Sequence, residues 1–379
     1  MSREVIGSIM DLSLSMATLG TRQLGAVLGE TASRQALGVG LRLMQQSAEV
    51  ACAVLPNELG LEWRELANKL EAFECFQQAP DLVGLAPGGY PSIGEQLRRA
   101  SALGAYRSVW TAEGLGHARA ESAWTAGETP RRLWPDAGPD APPASAVVPL
   151  HTGAALSFAS RLLAMDEARS REGLARWIAL WEENALSEYG AGIAVEALGL
   201  AARNLYPHLL PLLDELLGSL DPTFPEYFWH GVGRGLYFAP THAVPYSAAL
   251  GRALDKARRE PPGDAGRRNA VAGLAWALAL VNLRDPEVLA EVLRRHGWEI
   301  ADGEAFAHGV ASAVLVWHDA VGPDSHLTAF LSYRPARDSF WRDLVLRPCE
   351  EALQDARLRR SGLAARFRCP PSHPRGSRP

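Results

Sequence analysis

The feature that most constrains the fold of this chain is a glycine that recurs at nearly constant spacing. Six short segments carry it, and the glycines are Gly114, Gly153, Gly192, Gly231, Gly273 and Gly309. Successive glycines are 39, 39, 39, 42 and 36 residues apart. Periods of this size are typical of arrays of helical units. The spacing therefore predicts a helical repeat of about 39 residues, with each glycine near the start of a helix.

A second stretch with apolar residues at helical spacing follows these glycine segments. Examples are 209–220, 246–259 and 286–297, and charged residues gather in these second stretches. Small residues beside the glycines allow neighbouring backbones to approach, whereas larger side chains further along fill the space between units. The sequence predicts an all-α protein of stacked helical hairpins. The pattern is compatible with an open arc and with a closed ring.

The first hundred residues do not share the glycine pattern. Helical periodicity over 20–56 and about 61–78 predicts a separate N-terminal helical segment at 1–84. The segment 84–94 contains four glycines and two prolines, which end helices and form turns. Helix resumes at about 95 and continues to about 125.

Two proline-rich stretches interrupt the rest of the chain. Six prolines between 129 and 149 predict an irregular insertion within a repeat domain that spans 95–355. The stretch 357–379 has seven arginines, no acidic residue and four prolines. Such a composition buries little apolar surface and predicts a flexible basic tail. A basic contact strip for an acidic partner is the alternative interpretation of this tail.

Composition restricts the classes of function. The chain has 379 residues, 47% of them hydrophobic, and a net charge of −5, so it lacks the basic surplus that binding to nucleic acid uses. The sequence shows neither a secretory signal nor a long apolar run that predicts a membrane span. Four cysteines lie far apart without a C-x-x-C pair, as is typical of reduced structural thiols. We therefore expect a cytoplasmic protein.

Two histidines stand directly before an anchor glycine. The repeat places His230 and His308 at equivalent positions two units apart. At a helix start, the positive end of the helix dipole favours the neutral imidazole, which suits a general base. Both residues are candidate catalytic groups. The alternative is that they form hydrogen bonds between neighbouring units.

An acidic and a basic residue are predicted to meet on adjacent helices. Arg234 follows Gly231 by three residues among apolar neighbours, so its charge needs a partner. Glu196 follows Gly192 by four residues, at a matching height. This pair is interpreted either as a structural salt bridge or as the floor of a ligand pocket, where Glu196 transfers a proton and Arg234 binds an anionic group.

Several aromatic residues are candidates for contact with an apolar ligand. The chain has 11 tryptophans, which either pack between helices or line a site for a flat or polyene-like molecule. We expect Tyr237, Trp276, Trp317 and His326 to bind substrate. No motif predicts a metal site or a cofactor, and GVGRG at 231–235 lacks the sixth-position glycine and the preceding strand of a dinucleotide site.

The glycine-led segments follow one another in an order that resembles a known family. The succession HTGAALSFASRL, WHGVGRGLYF, NAVAGLAWALALV and AHGVASAVLVWHDAVGPDSHLTAFL is similar to the DUF1702 family over roughly residues 150–332. Proteins of that family are often encoded beside genes of enediyne and related polyketide biosynthesis. By this resemblance Gly231, Gly233 and Arg234 match the family's G-x-G-R segment, and His326 matches a histidine after a short polar turn.

These observations predict two kinds of function. The first is an enzyme of bacterial secondary metabolism that isomerises or cyclises an apolar polyene or polyketide by acid/base steps, without a cofactor. The second is a non-catalytic helical repeat that acts as a scaffold or carries a hydrophobic product. A homo-oligomer and a complex with a biosynthetic partner protein are both compatible with the sequence. An enzyme should bring Glu196, His230 and Arg234 together, whereas a scaffold should place them at separate interfaces.

Overall fold

A computed structural model describes residues 57–84, 92–125, 129–135, 138, 141–186, 190–239, 249–300, 303–336, 340–355 and 367–369. Over these ranges the chain is helical and contains no strand, which confirms the all-α class. The predicted helix at 20–56 and Cys52 lie outside the described residues. The other three cysteines, Cys75, Cys349 and Cys369, are buried and form no disulfide among the described residues.

The described residues form fifteen α-helices. They are α1 Asn57–Gln77, α2 Ala79–Leu82, α3 Ile93–Ser101, α4 Ala105–Thr125, α5 Val147–Leu163, α6 Arg171–Glu182, α7 Ala191–Leu205, α8 Leu210–Leu220, α9 Phe224–Phe238, α10 Ala249–Arg259, α11 Asp264–Val281, α12 Pro286–Ile300, α13 Glu304–Val321, α14 Ser325–Ser332 and α15 Arg347–Gln354. A π-helical turn, Arg342–Leu346, precedes α15.

Six of these helices form an inner ring. Helices α4, α5, α7, α9, α11 and α13 contact one another in chain order, and α13 also contacts α4 and α5. The Tyr106 ring on α4 lies 6.4 Å from the Trp317 ring on α13, which closes the ring. Helices α6, α8, α10 and α12 connect successive inner helices. The structure is therefore a closed ring and not an open arc.

Neighbouring inner helices run parallel. Between α7 and α9, Gly192 packs against Tyr227 near the helix starts, whereas Arg203 packs against Gly235 near the ends. The same holds for α4 with α5 and for α9 with α11. In each pair, residues nearer the C-terminal end of one helix contact residues nearer the C-terminal end of the other. The connecting segment with its outer helix brings the chain back before the next inner helix begins.

Glycines mark the points where inner helices cross. A β-carbon added at Gly231 on α9 would overlap the carbonyl oxygen of Glu196 on α7, and one at Gly199 would overlap that of Phe228. Gly233 and Gly273 make the equivalent pair between α9 and α11. The helices touch backbone to backbone at these crossings, which places Cα–H groups beside carbonyl oxygens.

The interpretation that anchor glycines open their helices is wrong at Gly231 and Gly273. Both lie in the middle of a helix, because close approach is needed at a crossing point. Gly192 does lie at the start of α7. In this helix the crossing with α9 is made by Gly199 instead. The repeat of about 39 residues is not confirmed, since the crossing contacts recur at different depths in helices of 15 to 21 residues.

The proline-rich insertion at 129–149 is less irregular and less exposed than predicted. Helix α5 begins at Val147, so Pro149 lies in its first turn, where a backbone N–H has no helical partner to lose. Leu133 and Trp134 are buried. The side-chain amide of Asn184 donates to the carbonyl of Pro130. The insertion therefore packs onto the helices in part. Likewise the predicted helix at 95–125 is two helices, α3 and α4, separated by Gly104 at φ +92°.

The predicted flexible tail at 357–379 does not hold at 367–369. Phe367 is only 1% exposed. The Arg368 guanidinium donates to Glu226 at 2.7 Å, and the backbone N–H of Cys369 donates to the Asn269 side chain at 2.7 Å. The composition of the tail does not predict this contact. A single aromatic residue is enough to hold the segment, because the folded helices already form an apolar surface for its ring.

Within the described part of the chain, one helical stretch, Ala144–Leu163, is long and apolar enough to cross a membrane. It consists of α5 and the preceding turn, and most of it is buried among the other helices. Burial of this kind is typical of a core helix.

Candidate functional site

Four ionisable side chains meet inside the ring. Arg234 on α9 donates to both carboxylate oxygens of Glu196 on α7, at 3.0 and 2.9 Å. The Nδ1 atom of His230 lies 3.2 Å from Glu196 Oε1, and Arg234 lies 3.7 Å from Glu113 on α4. Each of the four residues is at most 6% exposed. We call this group the Arg234 cluster.

The helix crossings position this cluster. His230 and Arg234 are four residues apart and therefore share one face of α9. The backbone of Glu196 touches Gly231, which lies between them in sequence. The Glu196 carboxylate thus reaches both side chains across the crossing. The structure brings together the predicted residues Glu196, His230 and Arg234.

Glu113 is a member of the cluster that sequence reasoning missed. It lies on α4, far from the other three residues in sequence. A signal was present, because Glu113 stands directly before the anchor glycine Gly114, as His230 and His308 stand before theirs. This shared position predicts a residue that faces the inside of the ring.

The two carboxyl groups beside Arg234 differ in charge. Burial raises the pKa of Glu113 to about 7, against the attraction of Arg234 and with the repulsion of Glu196. Burial also opposes the charged form of Glu196, but the attraction of Arg234 and the hydrogen bond with His230 outweigh it, and the pKa of Glu196 is lowered. One carboxylate neutralises the arginine, and the second carboxyl group holds its proton near neutral pH.

His230 is a neutral imidazole, and only one of its two ring nitrogens contacts Glu196. Burial lowers its pKa despite the opposing effect of Glu196. Because an ionised carboxylate only accepts hydrogen bonds, Glu196 selects the tautomer with a proton on Nδ1. The Nε2 atom then carries a lone pair, and it is buried without a hydrogen-bond partner among the described residues. Burial, and not the helix dipole, keeps this ring neutral, since His230 lies in the middle of α9.

Aromatic rings border the Arg234 cluster. The Trp276 ring lies 4.3 Å beneath the Arg234 guanidinium, a cation–π contact. The Phe367 ring lies 5.7 Å from the rings of both His230 and Trp276. His308 lies in the second turn of α13, and its pKa is lowered to about 4, first by burial and then by the proximity of His230.

The other predicted binding residues make different contacts. The Tyr237 hydroxyl accepts from Asn282 at 2.8 Å, and Lys69 lies over the Tyr237 ring. The Trp317 indole donates to Asp324 at 3.0 Å, and the His326 ring lies 6.3 Å from it. These contacts fix the C-terminal end of α9 and join α13 to α14. The structure assigns packing contacts to Tyr237, Trp317 and His326.

The site and the fold together define an all-α protein with a proton-holding charge cluster inside a helical ring. Searches against protein-family models, curated proteins and solved structures find no match to this chain. The resemblance to DUF1702 therefore stays a prediction. In the described residues, no group of three or more His, Cys, Asp or Glu side chains is arranged to hold a metal ion.

Proposed function

We propose that this protein is a cofactor-independent acid/base enzyme that isomerises or cyclises an apolar unsaturated intermediate. The observation that carries this proposal is the pairing of a neutral Glu113 with a neutral His230 around one arginine. Neighbouring ionisable groups whose surroundings shift their pKa values, upward for Glu113 and downward for His230, are typical of acid/base sites. The closed ring of apolar helices suits a substrate of low polarity.

The chemistry that the cluster supports is proton transfer beside a carbonyl group. His230 Nε2 takes a proton from a substrate carbon, and the electron pair moves onto the carbonyl oxygen. Arg234 and the protonated Glu113 stabilise the resulting oxyanion. His230 then returns the proton to a carbon further along the unsaturated chain. Glu196 orients the imidazole throughout, in the way that a carboxylate orients a catalytic histidine.

Cyclisation follows from the same intermediate. The carbon of the enolate forms a bond to an electrophilic alkene carbon of the same molecule, and the negative charge moves to a second carbonyl oxygen. His230 then protonates the product enolate. No atom other than the transferred proton leaves or enters, so the step balances without a cofactor.

The resemblance to DUF1702 supports a setting for this chemistry. It favours the biosynthesis of an enediyne, polyketide or polyene natural product in the bacterial cytoplasm. The substrate-binding role proposed for Arg234 is compatible with the matching G-x-G-R segment.

Deuterium exchange tests the reaction. The protein is incubated in D2O with β,γ-unsaturated ketones of increasing chain length, and NMR follows deuterium at the carbons beside the carbonyl. We expect exchange that falls at least about a hundredfold in His230→Gln and Glu113→Gln. Glu121→Gln is the matched control, because Glu121 also lies on α4 but binds Ser157 and Arg161. Equal exchange in all variants, or none in the native protein, contradicts the proposal.

A non-catalytic scaffold or carrier is the second candidate function. The observation in its favour is that Glu196 binds Arg234 through two hydrogen bonds and so joins α7 to α9. Native mass spectrometry of protein purified from its host tests the scaffold, and the deuterium exchange described above separates an enzyme from a carrier. A bound small molecule that is lost in Glu196→Gln and His230→Ala locates a ligand site, whereas a bound protein and no small molecule favours the scaffold.

A further inference from the structure

The segment Phe367–Cys369 lies over one side of the Arg234 cluster. Arg368 pairs with Glu226 in the first turn of α9, and Cys369 is bonded to Asn269 in the second turn of α11. The backbone of Arg368 also forms a hydrogen bond with His308 on α13. Three inner helices therefore hold this segment near their N-terminal ends.

The Phe367 ring is a poor chemical match for its surroundings. It lies against His230 and Trp276, yet a phenyl ring accepts no conventional hydrogen bond and donates none. Within the described chain, buried polar atoms without a partner include His230 Nε2, Trp276 Nε1 and His308 Nε2. Buried polar atoms are normally paired, and each unpaired one has a cost. Two of these atoms belong to rings that contact Phe367, and the third belongs to His308, which bonds to the backbone of the adjacent Arg368. Together they indicate a place that suits a different occupant.

The chemistry of these atoms describes that occupant. Trp276 Nε1–H is a donor, so it requires an acceptor oxygen. The two neutral imidazoles can accept from a hydroxyl group. The edge and tilted contacts that His230 and Trp276 make with the Phe367 ring, at 80° and 51°, suit a flat group. The occupant is a flat unsaturated group that bears an oxygen.

We infer that the place of the Phe367 ring is a ligand subsite for a flat, unsaturated, oxygen-bearing group, and that Phe367–Cys369 is displaced when this ligand binds. The inference rests on the proposed function, because it names the part of the same site that receives the unsaturated group. Phe367 occupies the subsite in the free protein and keeps water from His230.

The contacts of the segment are compatible with release. Its ion pair involves a partly exposed Arg368, whose side chain is 33% exposed. Its other bonds include a side-chain contact of Arg368 with Tyr227, the backbone N–H of Cys369 to Asn269 and a bond to His308. By contrast, the inner helices beneath it are in backbone contact at their glycine crossings. A ligand therefore displaces the segment more readily than it separates the helices.

Thiol labelling of the full-length protein tests this inference. The probe is 2-naphthol, and decahydro-2-naphthol is the saturated control of similar outline. Iodoacetamide labelling is followed by peptide mass spectrometry. We expect 2-naphthol to increase the labelling rate of Cys369 at least about fivefold, because Cys369 is 3% exposed until its segment leaves. The buried Cys75 and Cys349 are internal controls and should not change. Decahydro-2-naphthol should leave all three rates unchanged.

A matched pair of variants tests competition for the subsite. Phe367→Ala should bind 2-naphthol at least about tenfold more tightly than the native protein, by calorimetry. Phe330→Ala is the control, because Phe330 is equally buried but packs against Trp341. Equal gains in both variants indicate a mere cavity and overturn the inference. So does a lack of binding to Phe367→Ala, or binding to the native protein without a change at Cys369.

The two proposals fail separately. If 2-naphthol increases the labelling rate of Cys369 but no ketone exchanges deuterium, the enzyme proposal is wrong and the subsite is still supported. Deuterium exchange that depends on His230 and Glu113, with no response at Cys369, overturns the subsite alone.

Discussion

At Arg234 one guanidinium group has two carboxyl neighbours, and the charge of the buried cluster depends on how many of them are ionised. With Glu196 ionised and Glu113 and His230 neutral, the four side chains carry no net charge. Ionisation of Glu113 would leave an uncompensated negative charge away from water, which is costly. The proton on Glu113 is therefore a structural component of the ring as well as the candidate acid.

This proton predicts a pH dependence of stability. Since the pKa of Glu113 rises from 4.5 in the unfolded chain to about 7 in the folded protein, the folded state binds more protons between these values. Its contribution to the free energy of unfolding is present below pH 4.5 and is lost as the pH rises through about 7. From pH 5 to pH 8 the native protein should lose about 2–3 kcal/mol relative to Glu113→Gln.

Urea unfolding at the two pH values measures this difference. Glu121→Gln is the control, because burial opposes the charged form of Glu121 but its bonds to Ser157 and Arg161 outweigh this effect and lower its pKa below 4.5. The contribution of Glu121 is then already complete above pH 4.5, so the difference between the native protein and Glu121→Gln should stay nearly constant from pH 5 to pH 8. A Glu113→Gln difference that is constant between pH 5 and pH 8 would show that Glu113 is ionised in the folded state.

At the scale of the helix, the sequence predicts elements better than it predicts their meeting points. Apolar periodicity predicts α8, α10 and α12 to within a few residues over their described parts, because each helix buries one face. It does not predict that Pro149 lies in the first turn of a helix or that Gly231 lies mid-helix, since both depend on neighbours far along the chain. Glu113 and Phe367 escape prediction for the same reason, because their partners become neighbours only when the ring closes.

The helix crossings predict that two glycine-to-alanine changes have opposite effects on the free energy of unfolding. Gly231→Ala places a methyl group against the carbonyl of Glu196 and must separate α7 from α9, so we expect a loss of several kcal/mol, on the order of the cost of overpacking a core. Gly218→Ala on the exposed side of α8 places its methyl group 3.4 Å from Pro225. There the better helix propensity of alanine should stabilise the protein by about 0.5–1 kcal/mol.

Thermal unfolding of both variants checks this expectation. Far-ultraviolet circular dichroism gives the two midpoints, and they should move in opposite directions. If Gly231→Ala unfolds at the native midpoint, the two helices are not in backbone contact at this crossing.

At the scale of the whole molecule, closure separates this protein from an open helical array. In an array each unit contacts only its neighbours, and removal of a terminal unit leaves the others folded. Here α13 contacts both α11 and the first inner helices, α4 and α5. Removal of α13 therefore exposes two apolar faces at opposite ends of the inner layer.

Truncation tests this dependence. A chain that ends at Gly303 should lose cooperative unfolding in urea, as followed by tryptophan fluorescence and circular dichroism together. A chain that ends at Asp355 keeps α13 and loses Phe367, and it should unfold cooperatively at a lower urea concentration. A sharp transition in the shorter chain would mean that the helices behave as independent units.

The parallel direction of neighbouring inner helices has an electrical consequence. In an antiparallel bundle the helix dipoles cancel, whereas those of α7, α9 and α11 add, with roughly half a positive charge at each N-terminal end. Glu226 and Asp264, in the first turns of α9 and α11, collect at this positive end. The ring therefore has a polarity along its axis. A long molecule with a single electron-rich group, placed inside the ring, has one preferred direction and not two.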